Sequence, residues 1–225
     1  MAYHHMSDIQ AAALPLALAG KDLIAQAKTG SGKTAAFAIP LLLKINPRDF
    51  GVQALILCPT RELSTQVANE IRKIARYQQN IKVVTLCGGQ SIGPQIGSLE
   101  HGAHIIVGTP GRIKDHLRKK TLDFSRVNTV VLDEADRMLD MGFMDDLQGI
   151  VSQTPSDRQT LLFSATYPDD IEKLSKQFQN QPQRVSVESH HDDEIIEQQF
   201  YLCGKSQRFE AVYKLLNNYA PASAI

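Results

Sequence analysis

Short runs of consecutive apolar residues recur along this chain, at 22–26, 52–57, 81–86, 105–107, 127–132, 159–163 and 182–187. A run that is apolar at successive positions predicts a strand buried on both faces, because alternate side chains point to opposite sides of a sheet. Between the runs, apolar residues return at helical spacing. These stretches predict helices over 11–19, from residue 35 onward, over 62–77, in a short piece after Gly88-Gly89, over 112–118 and over 169–178. Strands alternating with helices predict an α/β fold: a mostly parallel sheet with helices on both faces. Right-handed crossovers then bring the C-terminal ends of the strands, with the loops that follow them, to one edge.

The loops at that edge are unusual in content. The first, Ala27-Lys28-Thr29-Gly30-Ser31-Gly32-Lys33-Thr34, lies between a predicted strand and a predicted helix. That is the setting of a phosphate-binding loop, although Ala27 stands where the first glycine is usually written. Glycines let N–H groups crowd round a polyphosphate, and the helix N-terminus favours negative charge. Lys33 can reach β- and γ-phosphates, and the Thr34 hydroxyl can ligate Mg²⁺. A chance Gly/Ser turn is the bland alternative.

Asp133-Glu134-Ala135-Asp136 follows the strand 127–132. An acid delivered at a strand end is how a P-loop enzyme holds Mg²⁺ from the far side, which fits Asp133. Glu134 can then orient and deprotonate an attacking water. Carboxylates after strands are also common helix caps; the phosphate loop on the same sheet favours the catalytic reading.

Pro59-Thr60-Arg61, Gly88-Gly89 and Thr109-Pro110-Gly111-Arg112 follow three further strands. Thr60 and Thr109 could be N-caps, and Arg61 and Arg112 simply solvated. Taken together they suggest a track for a phosphodiester backbone. Ser164-Ala165-Thr166 follows another strand, either as an ordinary turn or as a link from the Asp136 region to the nucleotide site. Ahead of everything, Ser7 and Gln10 have capping-box spacing. A Gln amide can also pair bidentately with adenine; spacing by itself favours the cap.

Composition narrows the picture a little. The chain has 225 residues, 43% hydrophobic and 21% charged, with 24 Lys plus Arg against 24 Asp plus Glu. Nucleic-acid binding must therefore come from a local groove rather than a global positive field. The three cysteines are widely separated, with Cys58 and Cys87 at the ends of strand-like runs as buried free thiols. No secretory leader or membrane span is visible, so a cytoplasmic protein is expected.

In order along the chain, Gln10, the loop 27–34, the run 59–63, Gly88-Gly89, the run 109–112, the acids 133–136 and the run 164–166 resemble the motifs of a DEAD-box RNA helicase of superfamily 2. Within that family Ala27 is ordinary. The wider text, including the stretches 9–15, 86–90 and 196–201, is similar to the bacterial DbpA type, which is associated with ribosomal RNA and large-subunit assembly. The resemblance implies a RecA-like P-loop NTPase domain using ATP and Mg²⁺. It implies that Tyr3, Gln10 and Thr29 to Thr34 (Gly30, Ser31, Gly32 and Lys33 among them) bind nucleotide, with Thr34 and Asp133 on the metal. Lys33, Asp133 and Glu134 would be catalytic. Thr60, Arg61, Gly89, Thr109 and Arg112 would contact the RNA backbone without reading sequence. Asp136, Ser164 and Thr166 would couple ATP state to RNA. A monomer is expected, with RNA, possible ribosomal RNA included, as its partner and no membrane contact.

The family's aromatic residue upstream of the Gln motif would fall before Met1, and Ala2 stands where a Gly often precedes the Tyr. Residues 1–188 read as the first RecA-like domain, 189–194 as a polar linker and 195–225 as the truncated start of a second. The arginine fingers and the C-terminal RNA-binding domain of the DbpA type are not in the sequence. Rival expectations are another P-loop enzyme, such as a DNA helicase or small-molecule kinase, or a domain that binds nucleotide and RNA without turnover.

Overall fold

The computed structural model describes residues 5–187, 199–221 and 223. Tyr3 and the linker 189–194 lie outside the described residues. The chain divides into two compact units, Met1–Ser189 and His190–Ile225.

The first unit is built on seven strands: β1 (Leu23–Gln26), β2 (Ala54–Leu57), β3 (Val83–Leu86), β4 (Ile105–Gly108), β5 (Thr129–Leu132), β6 (Gln159–Ser164) and β7 (Gln183–Ser186). They form one parallel sheet in the order β3-β4-β2-β5-β6-β1-β7. Exposure follows this order. Every residue of β2, β4, β5 and β6 is buried, whereas the edge strands β3 and β7 alternate or are largely exposed. Burial on both faces makes the central strands mainly apolar, and the polar residues they do carry, Thr129, Gln159, Thr160 and Ser164, are buried near the strand ends.

Helices α1 (Asp8–Leu18), α2 (Lys33–Lys44) and α3 (Arg61–Ala75) cover one face, where Ile9, Phe37, Leu41, Val67 and Ile71 pack on Ala25, Ile56, Val131 and Phe163. On the other face, α5 (Pro110–Arg118), α6 (Ala135–Asp140), α7 (Met144–Val151) and α8 (Asp169–Phe178) pack Ile113, Met138, Leu147 and Ile171 onto Ile24, Leu55, Val130 and Leu162. A shorter helix, α4 (Gly93–Leu99), follows β3. Helices α6 and α7 were not expected from the pattern: their apolar positions at Met138, Leu147 and Ile150 are too few to stand out as a period. Phe37 meets Phe163 edge-on with centroids 5.3 Å apart, fixing α2 over β6. Truncating either ring to Ala would cost about 3–5 kcal/mol.

The strand ends are level because the ladder continues one residue into each loop. Ala27 N–H donates to the Ser164 carbonyl (3.0 Å), Asp133 to Leu57 (3.0 Å), Cys58 to Gly108 (3.0 Å) and Thr109 to Leu86 (3.1 Å). Cys58 and Cys87 are buried free thiols at this edge.

In the second unit a 3₁₀ turn, Lys205–Gln207, leads into α9 (Arg208–Tyr219), none of whose residues is buried. No helix among the described residues is long and apolar enough to cross a membrane.

Candidate functional site

The sheet order decides which loops meet. The loop after β1, the run 164–166 after β6 and the acids after β5 are neighbours, because β6 lies between β1 and β5. Those after β2, β4 and β3 line up beyond them.

The Gly-rich loop turns through Gly30 (φ 84°) and Gly32 (φ 90°), both in the left-handed region that side chains disfavour. Gly32 caps α2. A Cβ there would come 2.5 Å from Gln10 Nε2 and 2.9 Å from Ser7 Oγ. N–H groups in such a turn, at the start of a 12-residue helix, form an anion cradle. Lys33 folds back over the loop: its ammonium donates to the Ala27 carbonyl at 3.2 Å and stands 4.0 Å from Asp133 Oδ1. Both side chains are almost fully buried. Burial lifts the Asp133 carboxyl to about 6, with Lys33 pulling it down and Glu134 pushing it up. The Ser31 hydroxyl is buried without a hydrogen-bond partner, and Thr34 is half-buried behind Lys33.

Glu134 takes the left-handed conformation (φ 52°, ψ 51°) at the start of α6, uncommon for a residue with a side chain. Its two oxygens diverge to different partners. Oε1 accepts from the Thr29 hydroxyl at 3.2 Å, and Oε2 lies 3.4 Å from Arg137 Nη1. Asp136 Oδ2 accepts from the N–H groups of Ala165 (3.2 Å) and Thr166 (2.9 Å) and from the Thr166 hydroxyl (2.9 Å). Burial pushes its carboxyl up, but these bonds and that from the Arg137 N–H hold it below the ordinary value. The Ser164 hydroxyl sits near the same carboxylate without completing a hydrogen bond.

Gln10 forms its half of the capping box, Oε1 accepting from Ser7 N–H at 3.1 Å, while Nε2 donates to the Gly32 carbonyl at 3.1 Å. Ser7 and Gln10 stand at the α1 N-terminus in capping-box geometry, with Gln10 accepting the bond from the Ser7 N–H. One amide thus ties α1 to the Gly-rich loop.

On the other half of the edge, Thr60 is an N-cap, its hydroxyl accepting from Leu63 N–H at 3.2 Å. Thr109 caps α5 by position only, since its side chain accepts no cap bond. Arg61 is half-exposed and reaches over Gly89, its Nη1 3.4 Å from where a Cβ would stand. Arg112 is not simply solvated. Its side chain is 10% exposed, Nη2 donates to the Gln90 carbonyl at 2.8 Å, and Nη1 has no partner. Buried Gln95 holds the same loop, donating to the Cys87 carbonyl at 2.9 Å and meeting His116 Nε2 at 3.2 Å. Gln95 presents its oxygen to that nitrogen, and His116 Nδ1 lies 2.8 Å from the Thr121 hydroxyl.

Residues 7–174 match the family model described as DEAD/DEAH box helicase. The chain belongs to that family. It is 50% identical over 225 residues to the ATP-dependent RNA helicase DbpA of Escherichia coli, covering 100% of this chain and 49% of that protein. It is 46% identical over 226 residues to the DEAD-box ATP-dependent RNA helicase CshA of Bacillus subtilis, again covering 100% of this chain and 46% of the relative. The chain thus spans about half the length of the curated relatives it matches. A crystal structure of a DEAD box protein from Methanococcus jannaschii superposes with a TM-score of 0.77 at 43% identity, over 94% of this chain and 57% of that one. A hypothetical ATP-dependent RNA helicase from Sulfolobus tokodaii gives 0.75 at 42% identity, over 83% and 54%. The sheet of this DEAD/DEAH box helicase domain is accordingly RecA-like.

Reasoning from the DEAD-box motifs missed two groups. Arg137 stands three residues beyond Glu134, a helical spacing that could have flagged it. Gln95 and His116 had no such signal, since nothing local to either residue points to the Cys87 carbonyl.

Proposed function

We propose that this chain is the ATP-binding first domain of an ATP-dependent RNA helicase. What carries the reading is the convergence of Lys33 from the Gly-rich loop with Asp133 and Glu134 from the loop after β5 on one glycine cradle. Lys33 would hold the β- and γ-phosphates, the loop N–H groups from Thr29 to Thr34 would cradle them, and Gln10 with Tyr3 would read and cover adenine. The cleft also fits Mg²⁺: Asp133 is a buried carboxylate with its charge only partly offset, and the Thr34 hydroxyl supplies a second hard oxygen. When bound, the ion would neutralise charge on the phosphates. Glu134, held by Thr29 until nucleotide arrives, would accept the proton of the attacking water.

Thr60, Arg61, Gly89, Thr109 and Arg112 would bind RNA phosphates and sugars. Asp136, tied to Thr166, would report the occupancy of the nucleotide site to that track. The stretch 195–225 would begin a second RecA-like domain, which would supply arginine fingers. An arginine finger is worth about 10³–10⁵ in rate where it has been assessed. The chain alone would therefore be a cytoplasmic monomer that binds Mg-ATP and RNA but hydrolyses very slowly. Its similarity to a protein named DbpA supports a role in ribosomal RNA remodelling and ribosome biogenesis.

A steady-state ATPase assay tests this, comparing the chain with a version extended through both domains, with RNA and with DNA. Turnover that RNA but not DNA stimulates is expected only in the extended protein. Robust RNA-stimulated turnover by these 225 residues would overturn the two-domain mechanism.

A further inference from the structure

Beyond the strand-end loops, the free edge of β3 carries a second cationic surface. Two adjoining troughs, of about 390 and 540 Å³, run along it and share Arg72 and Lys82. Arg76 lines one and His101 the other, and no Asp or Glu lines either. The nearby Glu70 is engaged by Lys73 at 3.0 Å. Arg72 is fixed along the strand, its Nη2 donating to the Val83 carbonyl (3.1 Å) and the Thr85 hydroxyl (3.0 Å). Those partners are neutral, so they orient the guanidinium without cancelling its charge. In a chain with formal net charge +0, three cations along one strand edge make a local field of one sign.

An aromatic ring completes the surface. Phe50 is 43% exposed and lines the lower trough beside Arg76 and Lys82. Its ring is held against His104, centroids 4.7 Å apart. A cationic groove with an exposed ring is the equipment for a flexible single strand: cations follow the backbone, and the ring stacks a base. The trough is also continuous with the proposed RNA track, because β3 leads at its C-terminal end directly into Cys87, Gly88 and Gly89.

We infer that the free edge of β3 is an accessory site for single-stranded RNA, guiding the strand from Gly89 down past Arg72, Lys82 and Arg76 to Phe50. This rests on the RNA reading proposed above. From residue 81 to 86 the edge runs ~17 Å at about 3.3 Å per residue, room for a few nucleotides. Arg72 serves two ends here, since its side chain also occupies the Val83 carbonyl, through which another strand could pair with β3.

The experiment is fluorescence anisotropy of the whole chain with oligouridylates of about 6 and about 14 nucleotides over a salt series, where each lost single-strand phosphate contact flattens the log–log slope by ~0.7. The double variant Arg76→Glu with Lys82→Glu should weaken the longer oligomer about tenfold, flatten its slope by ~1.4 and leave the shorter one unchanged. Phe50→Leu, which keeps apolar packing on His104 but loses the ring face, should weaken the longer oligomer about fivefold. Unchanged binding of both lengths to the double variant, or an equal loss for both, would overturn the accessory site. Arg61→Ala separates the two proposals: it should weaken both lengths, and if it weakens neither, the strand-end track fails whatever the trough does.

Discussion

Thr29 and Glu134 are 105 residues apart in sequence, yet the Thr29 hydroxyl donates to Glu134 Oε1 at 3.2 Å. Through this bond the Gly-rich loop grips the acid proposed as general base. With Arg137 at 3.4 Å on the other oxygen, the carboxylate is held at both ends. In the proposed site, a nucleotide in the cradle would compete for Thr29, and this hydrogen bond would link loop occupancy to the position of Glu134.

Glu134→Gln keeps an oxygen for Thr29 and leaves Lys33 and Asp133 in place, so nucleotide affinity should hold within a few fold. Hydrolysis by the two-domain protein should fall by ~10²–10⁴, the worth of a positioned base. Equilibrium titration with a fluorescent nucleotide and single-turnover kinetics check the two halves. Near-normal turnover would remove Glu134 from the chemistry.

Gly32→Ala should damage the cradle in two ways. The residue sits at φ 90°, where a Cβ costs about 1–2 kcal/mol. That Cβ would also meet Gln10 Nε2 at 2.5 Å, forcing the amide off the Gly32 carbonyl. We expect a lower thermal midpoint and lost nucleotide binding. Gln10→Glu should reproduce part of this, since it keeps the acceptor for Ser7 but sets a carboxylate against that carbonyl. A Gln10→Glu protein with wild-type stability would show that the tether is not a structural contact.

Arg112→Ala removes a guanidinium that both braces the Gln90 carbonyl and leaves one nitrogen unpartnered. RNA affinity should fall by similar factors for unrelated sequences, because phosphates carry no sequence information. The salt slope should also flatten by ~0.7 for a lost contact. Filter-binding over several salt concentrations decides this, and a change in sequence preference would point to base readout instead.

Asp136 makes stability depend on pH. Its folded-state carboxyl lies below the ordinary 3.8, so its contribution is present above that value and fades as pH falls through the lower folded one. Asp136→Ala leaves the Ala165 and Thr166 N–H groups without their acceptor and should cost about 1–3 kcal/mol at neutral pH. The gap between wild type and variant in urea unfolding should narrow as pH drops towards 3. A gap that widened would mean the carboxylate does not stabilise this contact.

The sequence by itself made the strands and most of the helices legible, though not α6 or α7. Strands buried on both faces announce themselves as continuous apolar runs, and helix 169–178 was legible to the residue. The Gly-rich loop, the acids at 133–136 and the capping pair Ser7 and Gln10 were legible because each depends on neighbours in the chain. What it could not supply was the order of strands across the sheet. Only the fold places β6 between β1 and β5, and so sets Asp136 against Thr166 and Lys33 beside Asp133. Likewise Gln10, at the same spacing, serves as both cap and tether because α1 packs beside the loop at Gly32. Arg112 looked like a surface residue, and the fold buried it against the Gln90 carbonyl. Local pattern records burial and turn geometry, which act over a few residues. Which loops meet is set by crossover connections and packing over more than a hundred, and these leave no local mark in the sequence.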